Sequence, residues 1–366
     1  MLQLIAVGVA CNPTTITRGF GHPERLAGMR ATTLHALKDI RFTEVPDPII
    51  TKPTDAIVKV TASCICGSDL WNYRGDNGPI EEPSTIGHEC VGEVVAVGAE
   101  VSSVRPGDFV IVPFCHCDNT CPHCVAGFQS VCTHGGFTVS GQGEFALVNQ
   151  ADGSLVKTER PDDSMLPSLL TLTDVMATGW HAAVMSRVRP GATVVVVGDG
   201  AVGLCGVLAA SVMGAERVIA MSRHADRQRI ATSFGATDVI AARGEEGEAA
   251  VMELTGGIGA DSVLECVGTD QAMRTAFQIA RPGSTVGFVG APHGVQLPVR
   301  HMFVRNIGLA GGMAPVRRYL PELLDLVLAG RIDPGKVFDK VLPVDQVPEG
   351  YRAMDERTAI KVQLTY

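Results

Sequence analysis

The sequence predicts an α/β protein with two parts, a β-rich part followed by a doubly wound parallel sheet. In the first part, short apolar segments are separated by turn residues, and after Pro190 apolar Val and Ile runs alternate with helical segments. Continuous apolar runs between helices are typical of parallel strands that are buried on both faces. The chain has 366 residues, and about 150 residues per domain is usual, so its length agrees with two domains.

Composition excludes several classes of protein. Hydrophobic residues make up 46% of the chain, which is enough for a sizeable core and argues against disorder. The formal net charge is −9, from 30 basic and 39 acidic residues, so neither nucleic acid nor an anionic membrane is an expected partner. No apolar run approaches the roughly 20 residues that span a bilayer. The 41 glycines favour tight turns and a close approach of backbone to a cofactor.

Changes in pattern divide the chain into four segments. Residues 1–28 have little periodicity and are either an ordered N-terminal extension or the result of an upstream start codon. Residues 29–178 form the β-rich domain, and residues 179–318 form the domain with the parallel sheet. Residues 319–366 return to mixed structure and are predicted to close back onto the first domain.

Local patterning predicts the individual elements. In the first domain, β-branched runs between turn residues predict strands at Ala56–Ala62, Val91–Val97 and Phe109–Val112. In the second domain, the same signals predict strands at Thr193–Val197, Arg217–Met221, Ser262–Cys266 and Thr285–Val289. Segments with the helical period predict helices at Ala201–Met213, Ala225–Phe234 and Gln271–Ala280.

A glycine-rich turn joins the first strand of the second domain to its first helix. Its sequence, Gly198-Asp-Gly200-Ala201-Val202-Gly203, lets the backbone approach a pyrophosphate and seats the helix against the sheet. The free amides of the helix N-terminus then face the phosphates. A lone Gly-x-Gly-x-x-Gly is weak evidence, but here the strand, turn, helix and next strand are all in register. The sequence therefore predicts a dinucleotide site at these residues.

The end of the second strand of this domain predicts which cofactor binds. A site for NAD(H) usually has a carboxylate there, whereas this chain has Ser222 and Arg223, followed by Arg227 and Arg229. A hydroxyl and a guanidinium favour a 2′-phosphate, so NADP(H) is predicted over NAD(H). The alternative is that these arginines belong to an ordinary solvated helix start.

One loop contains a dense group of cysteines that predicts a closed, structural zinc site. The four predicted ligands are Cys117, Cys121, Cys124 and Cys132. Cys115 and Asp118 compete with Cys117 as the fourth ligand. A cluster of buried free cysteines and a zinc ribbon for nucleic acid are the alternatives. Because no convincing secretory signal precedes these thiols, we expect a reduced, cytoplasmic protein.

Several motifs follow one another in an order that is specific to one family. They are Cys66-Gly-Ser-Asp69, Gly87-His-Glu89, the cysteine loop at 117–132, Thr173-Asp-Val-Met-Ala-Thr-Gly179 and Gly198–Gly203. From Met29 to its end, the chain resembles the zinc-dependent medium-chain alcohol dehydrogenase family, including its threonine- and formaldehyde-dehydrogenase-like members. The resemblance implies a GroES-like catalytic domain that is split around a Rossmann domain.

The resemblance implies a catalytic zinc site made of dispersed residues. Cys66, His88 and Asp174 would be its ligands, and Glu89 a neighbouring alternative ligand. Each residue alone has a simpler interpretation; Asp174, for example, has capping-box spacing from Thr171. Three protein ligands would leave open the fourth position that a catalytic zinc needs.

The resemblance also implies supporting roles. Asp69 would orient His88, Ser68 would pass the proton of the alcohol into a relay, and Lys361 would contact the cofactor. One position departs from the family, because Trp71 stands where many relatives carry the outer histidine of the relay. The proton would then leave through cofactor hydroxyls and water, and the large ring would narrow the substrate pocket.

A second departure lies in the cysteine loop. The family spacing, C-x2-C-x2-C-x7-C, assigns the first ligand to the position of Asp118. If Cys117 were the first ligand, three residues instead of two would separate it from Cys121. We predict a structural zinc site in this loop; Cys117 is placed in its ligand set, and Asp118 and Cys115 stay open as alternatives for the first ligand.

Together these features predict a zinc-dependent alcohol dehydrogenase or carbonyl reductase that transfers a hydride between NADP(H) and a small alcohol, aldehyde or ketone. The alternatives are a zinc-free quinone or enone reductase on the same fold, and a non-catalytic protein that binds NADPH and uses zinc only to stabilise its fold. As in relatives, the strand Ser284–Val289 and the stretch to Leu309 are expected to pair across a two-fold axis, giving a homodimer or homotetramer.

Overall fold

The computed structural model describes residues 28–80 and 82–366. The predicted N-terminal extension, residues 1–28, lies outside this range except for its last residue. The α/β class, the β-rich domain and the domain with a parallel sheet are confirmed. None of the helices in the described ranges has the length and apolar character needed to cross a membrane.

The β-rich domain is built around the long strand β3. Its strands are β1 (Arg30–Ala36), β2 (Asp39–Glu44), β3 (Ala56–Cys64), β4 (Ser84–Thr85), β5 (Cys90–Val97), β6 (Phe109–Val112), β7 (Cys115–His116), β8 (Gly136–Phe137), β9 (Phe145–Val148) and β10 (Val156–Thr158). Its helices are α1 (Asp69–Arg74), α2 (Pro122–Val125), α3 (Ala151–Ser154), α4 (Leu166–Thr171) and α5 (Val175–Met185), with 3₁₀ turns at Gln129–Val131 and Asp163–Met165. Strand β3 lies between β5 and a C-terminal strand, and it also pairs with β9.

The second domain alternates strands and helices as predicted. Its strands are β11 (Thr193–Val197), β12 (Arg217–Met221), β13 (Asp238–Ile240), β14 (Ala260–Glu265), β15 (Ala280–Phe288) and β16 (Gly308–Gly311). Its helices are α6 (Ala201–Val212), α7 (Ala225–Ser233), α8 (Gly244–Leu254), α9 (Asp270–Ile279), α10 (Val299–Arg305) and α11 (Val316–Leu328). The strands form one parallel sheet in the order β13-β12-β11-β14-β15-β16. The predicted domain boundaries at 178/179 and 318/319 fall inside α5 and α11.

The C-terminal segment returns to the sheet of the first domain. It contains a 3₁₀ turn at Pro334–Val337, β17 (Lys340–Pro343), a 3₁₀ turn at Val344–Gln346, α12 (Val347–Asp355) and β18 (Val362–Thr365). Strand β18 pairs with β3 antiparallel, with Gln363 opposite Cys64. This pairing brings the residues near 361 next to the loop that follows β3.

One part of the expected dimer contact needs correction. Strand β15 contains the segment Ser284–Phe288, but β14 and β16 pair with it on its two sides. Its backbone groups are therefore already used within the sheet. The edge strand next to β15 is β16, and no described strand pairs with its outer edge.

The glycine-rich turn has the geometry that its sequence predicts. Gly198 has a φ of +117°, a left-handed conformation that favours glycine. A Cβ on Gly203 would lie 2.1 Å from the carbonyl oxygen of Gly198, so a larger residue would push α6 away from the turn. These two glycines set the close approach of α6 to the end of β11.

Helix α5 connects the two domains. A Cβ on Gly179 would lie 2.5 Å from the backbone nitrogen of Gly206, so α5 and α6 pack with their backbones in close contact. The N-terminal end of α5 begins directly after Asp174. The packing of α5 on α6 thus fixes Asp174 relative to the glycine-rich turn.

The buried His181 of α5 makes stability depend on pH. Its Nδ1 lies 2.9 Å from the hydroxyl of Tyr319 on α11, and burial, reinforced by the charge of Arg318, lowers its pKa from 6.5 to about 4. Below pH 6.5 the unfolded chain therefore binds a proton that the folded chain does not, and stability falls as the pH falls.

We expect the free energy of unfolding of the wild type to fall between pH 7 and pH 5 by about 2 kcal/mol more than that of His181→Gln. Urea unfolding of both proteins at several pH values measures this difference. Equal pH dependence of the two proteins would contradict it.

Candidate active site

The four residues predicted at the catalytic zinc come together from three loops. They are Cys66 after β3, His88 and Glu89 before β5, and Asp174 before α5. Their donor atoms all lie within 4.8 Å of one another. Oδ2 of Asp174 is 3.5 Å from Sγ of Cys66 and 3.5 Å from Nε2 of His88. We call these four residues the catalytic group.

The chemistry and spacing of the catalytic group fit zinc. Zinc takes sulfur, imidazole nitrogen and carboxylate oxygen at about 2.0–2.3 Å in a tetrahedron, which separates neighbouring ligands by roughly 3.3–3.8 Å. The observed separations of 3.5 Å agree with this geometry. Cys66 and Asp174 are buried and His88 is half-buried, so the group lies at the inner end of a cleft.

Glu89 differs from the other three because it already has a charged partner. Its Oε1 accepts a hydrogen bond of 2.7 Å from Nζ of Lys361, and both side chains are almost completely buried. Its Oε2 lies 3.3 Å from the hydroxyl of Thr173. Lys361, the predicted cofactor contact, is thus placed on Glu89 beneath the catalytic group. With Glu89 held in this way, Cys66, His88 and Asp174 are the available ligands and a fourth position stays open.

Hydrogen bonds fix the orientation of the ligands. Nδ1 of His88 is 3.3 Å from Oδ1 of Asp69, so Nε2 faces the catalytic group. Thr178 donates a hydrogen bond of 2.7 Å to Oδ1 of Asp174. Asp174 is the N-cap residue of α5, but its side chain makes no capping hydrogen bond. Its carboxylate is therefore free to face Cys66 and His88, which argues against the helix-cap interpretation.

Burial and neighbouring charged groups both shift the pKa values of the residues in the catalytic group. Burial lowers the pKa of His88, but the carboxylate of Asp69 and the neighbouring Cys66 raise it well above its ordinary value overall. Burial raises the pKa of Asp174, but the hydrogen bond to His88 lowers it overall. Burial raises the pKa of the Cys66 thiol. A bound cation would favour the thiolate and the neutral imidazole, because both are then electron-pair donors.

A mainly apolar cleft opens from the catalytic group. Its volume is about 580 Å³, and its wall contains Leu70, Trp71, Phe114, Phe137, Val289 and Met313. Ser68, the predicted start of the relay, also lines it. The Trp71 ring packs edge-to-face against the ring of His293, which belongs to the second domain. Trp71 thus joins the two domains along the cleft.

Of the candidates for the first structural zinc ligand, the structure places Asp118 with the other three residues, and not Cys117, which the predicted set included. The donor atoms that lie within 4.8 Å of one another belong to Asp118, Cys121, Cys124 and Cys132. Sγ of Cys117 instead lies 3.3 Å from the carbonyl oxygen of Gly153. Neighbouring residues in an extended segment point in opposite directions, so only one of Cys117 and Asp118 can face the loop.

The cysteine loop is prepared for a cation. Hydrogen bonds from backbone amides, first that of Thr133 and then that of Cys124, lower the pKa of Cys121 to about 6, which favours its thiolate form. The amides of Asp118 and His134 lie 3.3 and 3.4 Å from Sγ of Cys132. Nδ1 of His134 is 2.6 Å from Oδ2 of Asp118. Three sulfurs and one carboxylate are an acceptable donor set for structural zinc.

Most residues of the predicted glycine-rich turn line the cleft between the domains, as does Arg227, whereas Ser222 and Arg223 lie outside its wall. Gly198 and Gly200 lie in the wall of a cavity of about 360 Å³, and Gly200, Ala201 and Val202 lie in the wall of the adjoining cleft at the catalytic group. Gly203 lies behind the turn, where it allows the close approach of α6. The N-terminus of α6 therefore faces this space, as a pyrophosphate site requires.

A carboxylate that sequence reasoning missed organises the end of β12. Asp199, within the glycine-rich turn, accepts hydrogen bonds from the hydroxyl of Ser222 and the amide of Arg223, both at 3.1 Å. It also pairs with Arg227 at 3.2 Å. Burial raises the pKa of Asp199, but the charge of Arg227 lowers it overall. Two of the predicted cofactor residues, Ser222 and Arg227, are thus engaged by Asp199, whereas the side chain of Arg223 is not.

Two further arginines line the cofactor cavity. Arg243 follows β13, and Arg357 follows α12 in the other domain. The guanidinium groups of Arg223, Arg243 and Arg357 make no hydrogen bond or ion pair to any described residue. Burial lowers the pKa of Arg243, and the positive charge of Arg223 lowers it further, whereas the carboxylate of Asp199 raises it. Arg243 and Arg357 are far apart in the sequence, so no local pattern predicts that both line this cavity.

The fold and the site define a two-domain oxidoreductase with zinc and dinucleotide sites. Residues 52–160 match the model of the alcohol dehydrogenase GroES-like domain, and residues 201–329 match that of zinc-binding dehydrogenases. A probable zinc-binding alcohol dehydrogenase of Mycobacterium tuberculosis is 37% identical over 90% of this chain and 86% of its own length.

Two other relatives are informative. The NADP-dependent isopropanol dehydrogenase of Thermoanaerobacter brockii is 33% identical over 83% of this chain and 90% of its own length. The structure of the alcohol dehydrogenase TADH from Thermus sp. ATN1 is 32% identical, covers 92% of this chain and 99% of its own chain, and superposes with a TM-score of 0.84. The chain belongs to the zinc-binding medium-chain alcohol dehydrogenase family and is a zinc-dependent oxidoreductase that acts on CH–OH groups.

Proposed function

We propose that this protein uses NADP(H) to interconvert a small alcohol and its aldehyde or ketone. The observation that carries the proposal is a single cleft that contacts both chemical centres. Its wall includes Cys66, His88 and Asp174 of the catalytic group and Gly200 and Val202 of the dinucleotide turn. A substrate whose oxygen lies at the catalytic group would meet, in this cleft, the nicotinamide ring of a cofactor bound at the turn.

The charges around the cofactor cavity support NADP(H). Arg227 and Asp199 neutralise each other, so Arg223, Arg243 and Arg357 leave an excess of positive charge. A 2′-phosphate would supply the missing negative charge through charge-assisted hydrogen bonds, whereas a ribose hydroxyl would not. The relative from Thermoanaerobacter brockii is named as NADP-dependent, which agrees with this proposal.

The residues of the cleft have separate roles in the proposed reaction. When bound, zinc acts as a Lewis acid toward the substrate oxygen and the nicotinamide carries the hydride. Cys66, His88 and Asp174 would hold the metal, and the hydroxyl oxygen of Ser68 would take the proton of the alcohol. Trp71 and Phe114 exclude water from the apolar wall. Since Trp71 carries no titratable group, the proton would leave Ser68 through cofactor hydroxyls and water.

The alternatives from the sequence find less support. A zinc-free reductase would not need sulfur, imidazole and carboxylate donors within 4.8 Å of one another. A non-catalytic protein would not need the open cleft that joins this group to the dinucleotide turn.

Metal removal tests the proposal. The experiment measures NADPH oxidation with a pool of short aldehydes and ketones, before and after dialysis against a chelator and after zinc is added back. We expect activity to be lost and then restored by zinc, and to be lower with NADH. Turnover that persists after metal analysis confirms zinc removal would favour the zinc-free reductase.

Replacement of Arg223 by Asp tests the cofactor preference. The substitution removes a charge-assisted hydrogen bond, worth about 1.5–3 kcal/mol, and places a carboxylate near the 2′-phosphate. We expect the ratio of kcat/KM for NADPH to that for NADH to fall by about 100-fold. Arg160→Asp is the control, because Arg160 is exposed and follows β10 in the other domain, away from the end of β12. An unchanged ratio in Arg223→Asp would refute the proposed role of this residue.

We also propose a homodimer through the open edge of β16. The adjacent α10 exposes the apolar side chains of Val299, Phe303 and Val304, of which Phe303 is 82% exposed. A second copy would cover both the strand edge and this apolar surface. A monomer of 38.5 kDa in analytical ultracentrifugation would contradict the proposal. We further propose a reducing, cytoplasmic compartment, because the cysteines of the loop must stay reduced to hold zinc.

A further inference from the structure

A chain of buried hydrogen bonds runs from α12 to the catalytic group. The hydroxyl of Tyr351 donates to Oε1 of Gln142 at 3.2 Å, and Nε2 of Gln142 donates to Oδ2 of Asp69 at 3.1 Å. Oδ1 of Asp69 then lies 3.3 Å from Nδ1 of His88. Tyr351 and Gln142 are fully buried, so water does not compete for these bonds.

Both amide hydrogens and the carbonyl oxygen of Gln142 are engaged in hydrogen bonds. Its second amide hydrogen is directed to the carbonyl oxygen of Cys64 at 3.1 Å. Oδ2 of Asp69 also accepts the amide of Cys66 at 3.0 Å, which leaves Oδ1 for His88. A side-chain amide with both donors and its acceptor engaged has one orientation, and it gives Asp69 one orientation too.

The backbone beside His88 is shaped around Gln142. Gly87 has a φ of +94°, and a Cβ on it would lie 2.4 Å from Cγ of Gln142. The amide of Gly141 donates a hydrogen bond of 2.9 Å to the carbonyl oxygen of Gly87. Gln142 therefore packs directly against the residue from which the chain continues into His88.

We propose that Gln142, held by Tyr351, is a positioning residue for the catalytic metal site. It fixes the carboxylate of Asp69, so that His88 keeps its proton on Nδ1 and presents the lone pair of Nε2 to the metal. The inference rests on the proposed function only in requiring that the catalytic group binds zinc. The role differs from packing alone, because it predicts a change in the metal site itself.

The test compares two full-length variants that each lose one buried glutamine. Gln142→Met removes the link to Asp69, whereas Gln363→Met removes a buried glutamine of β18 that has no hydrogen bond to the catalytic group. Zinc release to a chromogenic chelator and the visible spectrum of the cobalt-substituted protein are measured. We expect zinc release from Gln142→Met to be about 10–100-fold faster and its cobalt bands to shift, with Gln363→Met like the wild type. The variant Cys66→Ser gives the background from the cysteine loop.

A double variant separates positioning from packing. Tyr351→Phe removes the hydroxyl that would lose its partner in Gln142→Met, so the double variant should recover thermal stability. We expect its zinc release to stay fast and its cobalt spectrum to stay shifted. If the double variant recovers the wild-type release rate and spectrum, or if Gln142→Met never changes them, the inference is overturned. If the wild type binds no more zinc than Cys66→Ser, the proposed function itself fails.

Discussion

Replacement of Cys66 by Ser should lower turnover by at least about 1000-fold while the affinity for NADPH changes by only a few-fold. The thiol is one of three available ligands, and a serine hydroxyl is a much poorer zinc ligand than a thiolate. A loss of this size corresponds to about 4 kcal/mol of transition-state stabilisation, which is within the range for a Lewis acid site. The cofactor turn at Gly198–Gly203 belongs to another domain, so the binding of a dinucleotide there should not depend on this sulfur.

The control for this experiment is Cys90→Ser. Cys90 is fully buried at the start of β5, two residues from His88, but its sulfur is outside the catalytic group. Steady-state kinetics and NADPH fluorescence titration of the two variants separate turnover from binding. Full activity in Cys66→Ser would overturn the metal assignment, and equal losses in both variants would indicate a general effect on folding.

The second large effect is expected on stability. Replacement of Lys361 by Met leaves the carboxylate of Glu89 buried without its partner, which should lower the free energy of unfolding by about 3–5 kcal/mol. The carboxylate would also be free to turn toward Cys66 and Asp174 and fill the open position, so turnover should fall as well. The double variant with Glu89→Gln removes the unpaired charge and should recover most of the stability.

Lys340→Met is a matched control for burial. Nζ of Lys340 lies 2.8 Å from Oε1 of Glu349, almost the same separation as in the Lys361–Glu89 pair, but both members of the Lys340–Glu349 pair are partly exposed. Exposed ion pairs contribute at most about 1 kcal/mol, so this variant should be nearly as stable as the wild type. Denaturant unfolding of the four proteins gives the comparison. Similar losses in Lys340→Met and Lys361→Met would contradict the assigned cost of the buried charge.

Much of the fold could be predicted because its signals are local. The Val runs of β11 and the turn at Gly198–Gly203 are short contiguous patterns with one dominant physical interpretation. The catalytic group is different, since Cys66, His88 and Asp174 are far apart in the chain and each alone has an ordinary explanation. Only the order of motifs shared with a family joined them before the structure did.

The errors and omissions have physical causes. Residue type favours Cys117 over Asp118 as a zinc ligand. However, neighbouring side chains in an extended segment point in opposite directions, and it is Asp118 that faces the other ligands. Asp199 occupies a variable position of the turn, and its partners become evident only when β11 and β12 lie side by side. Arg243 and Gln142 acquire their surroundings from residues distant in sequence, and no local pattern reports such contacts.

The pairing of β18 with β3 has a consequence for biosynthesis. Glu89 is made early, whereas its counter-ion Lys361 is made far later, when the strand that brings it to the site is translated. At roughly 5–20 residues per second, the interval is on the order of 10–50 s. During that time the nascent chain cannot bury Glu89 as a paired carboxylate. Assembly of the pocket is thereby deferred until translation has passed residue 361, and ribosomal stalling before that point would leave a chain without a finished active site.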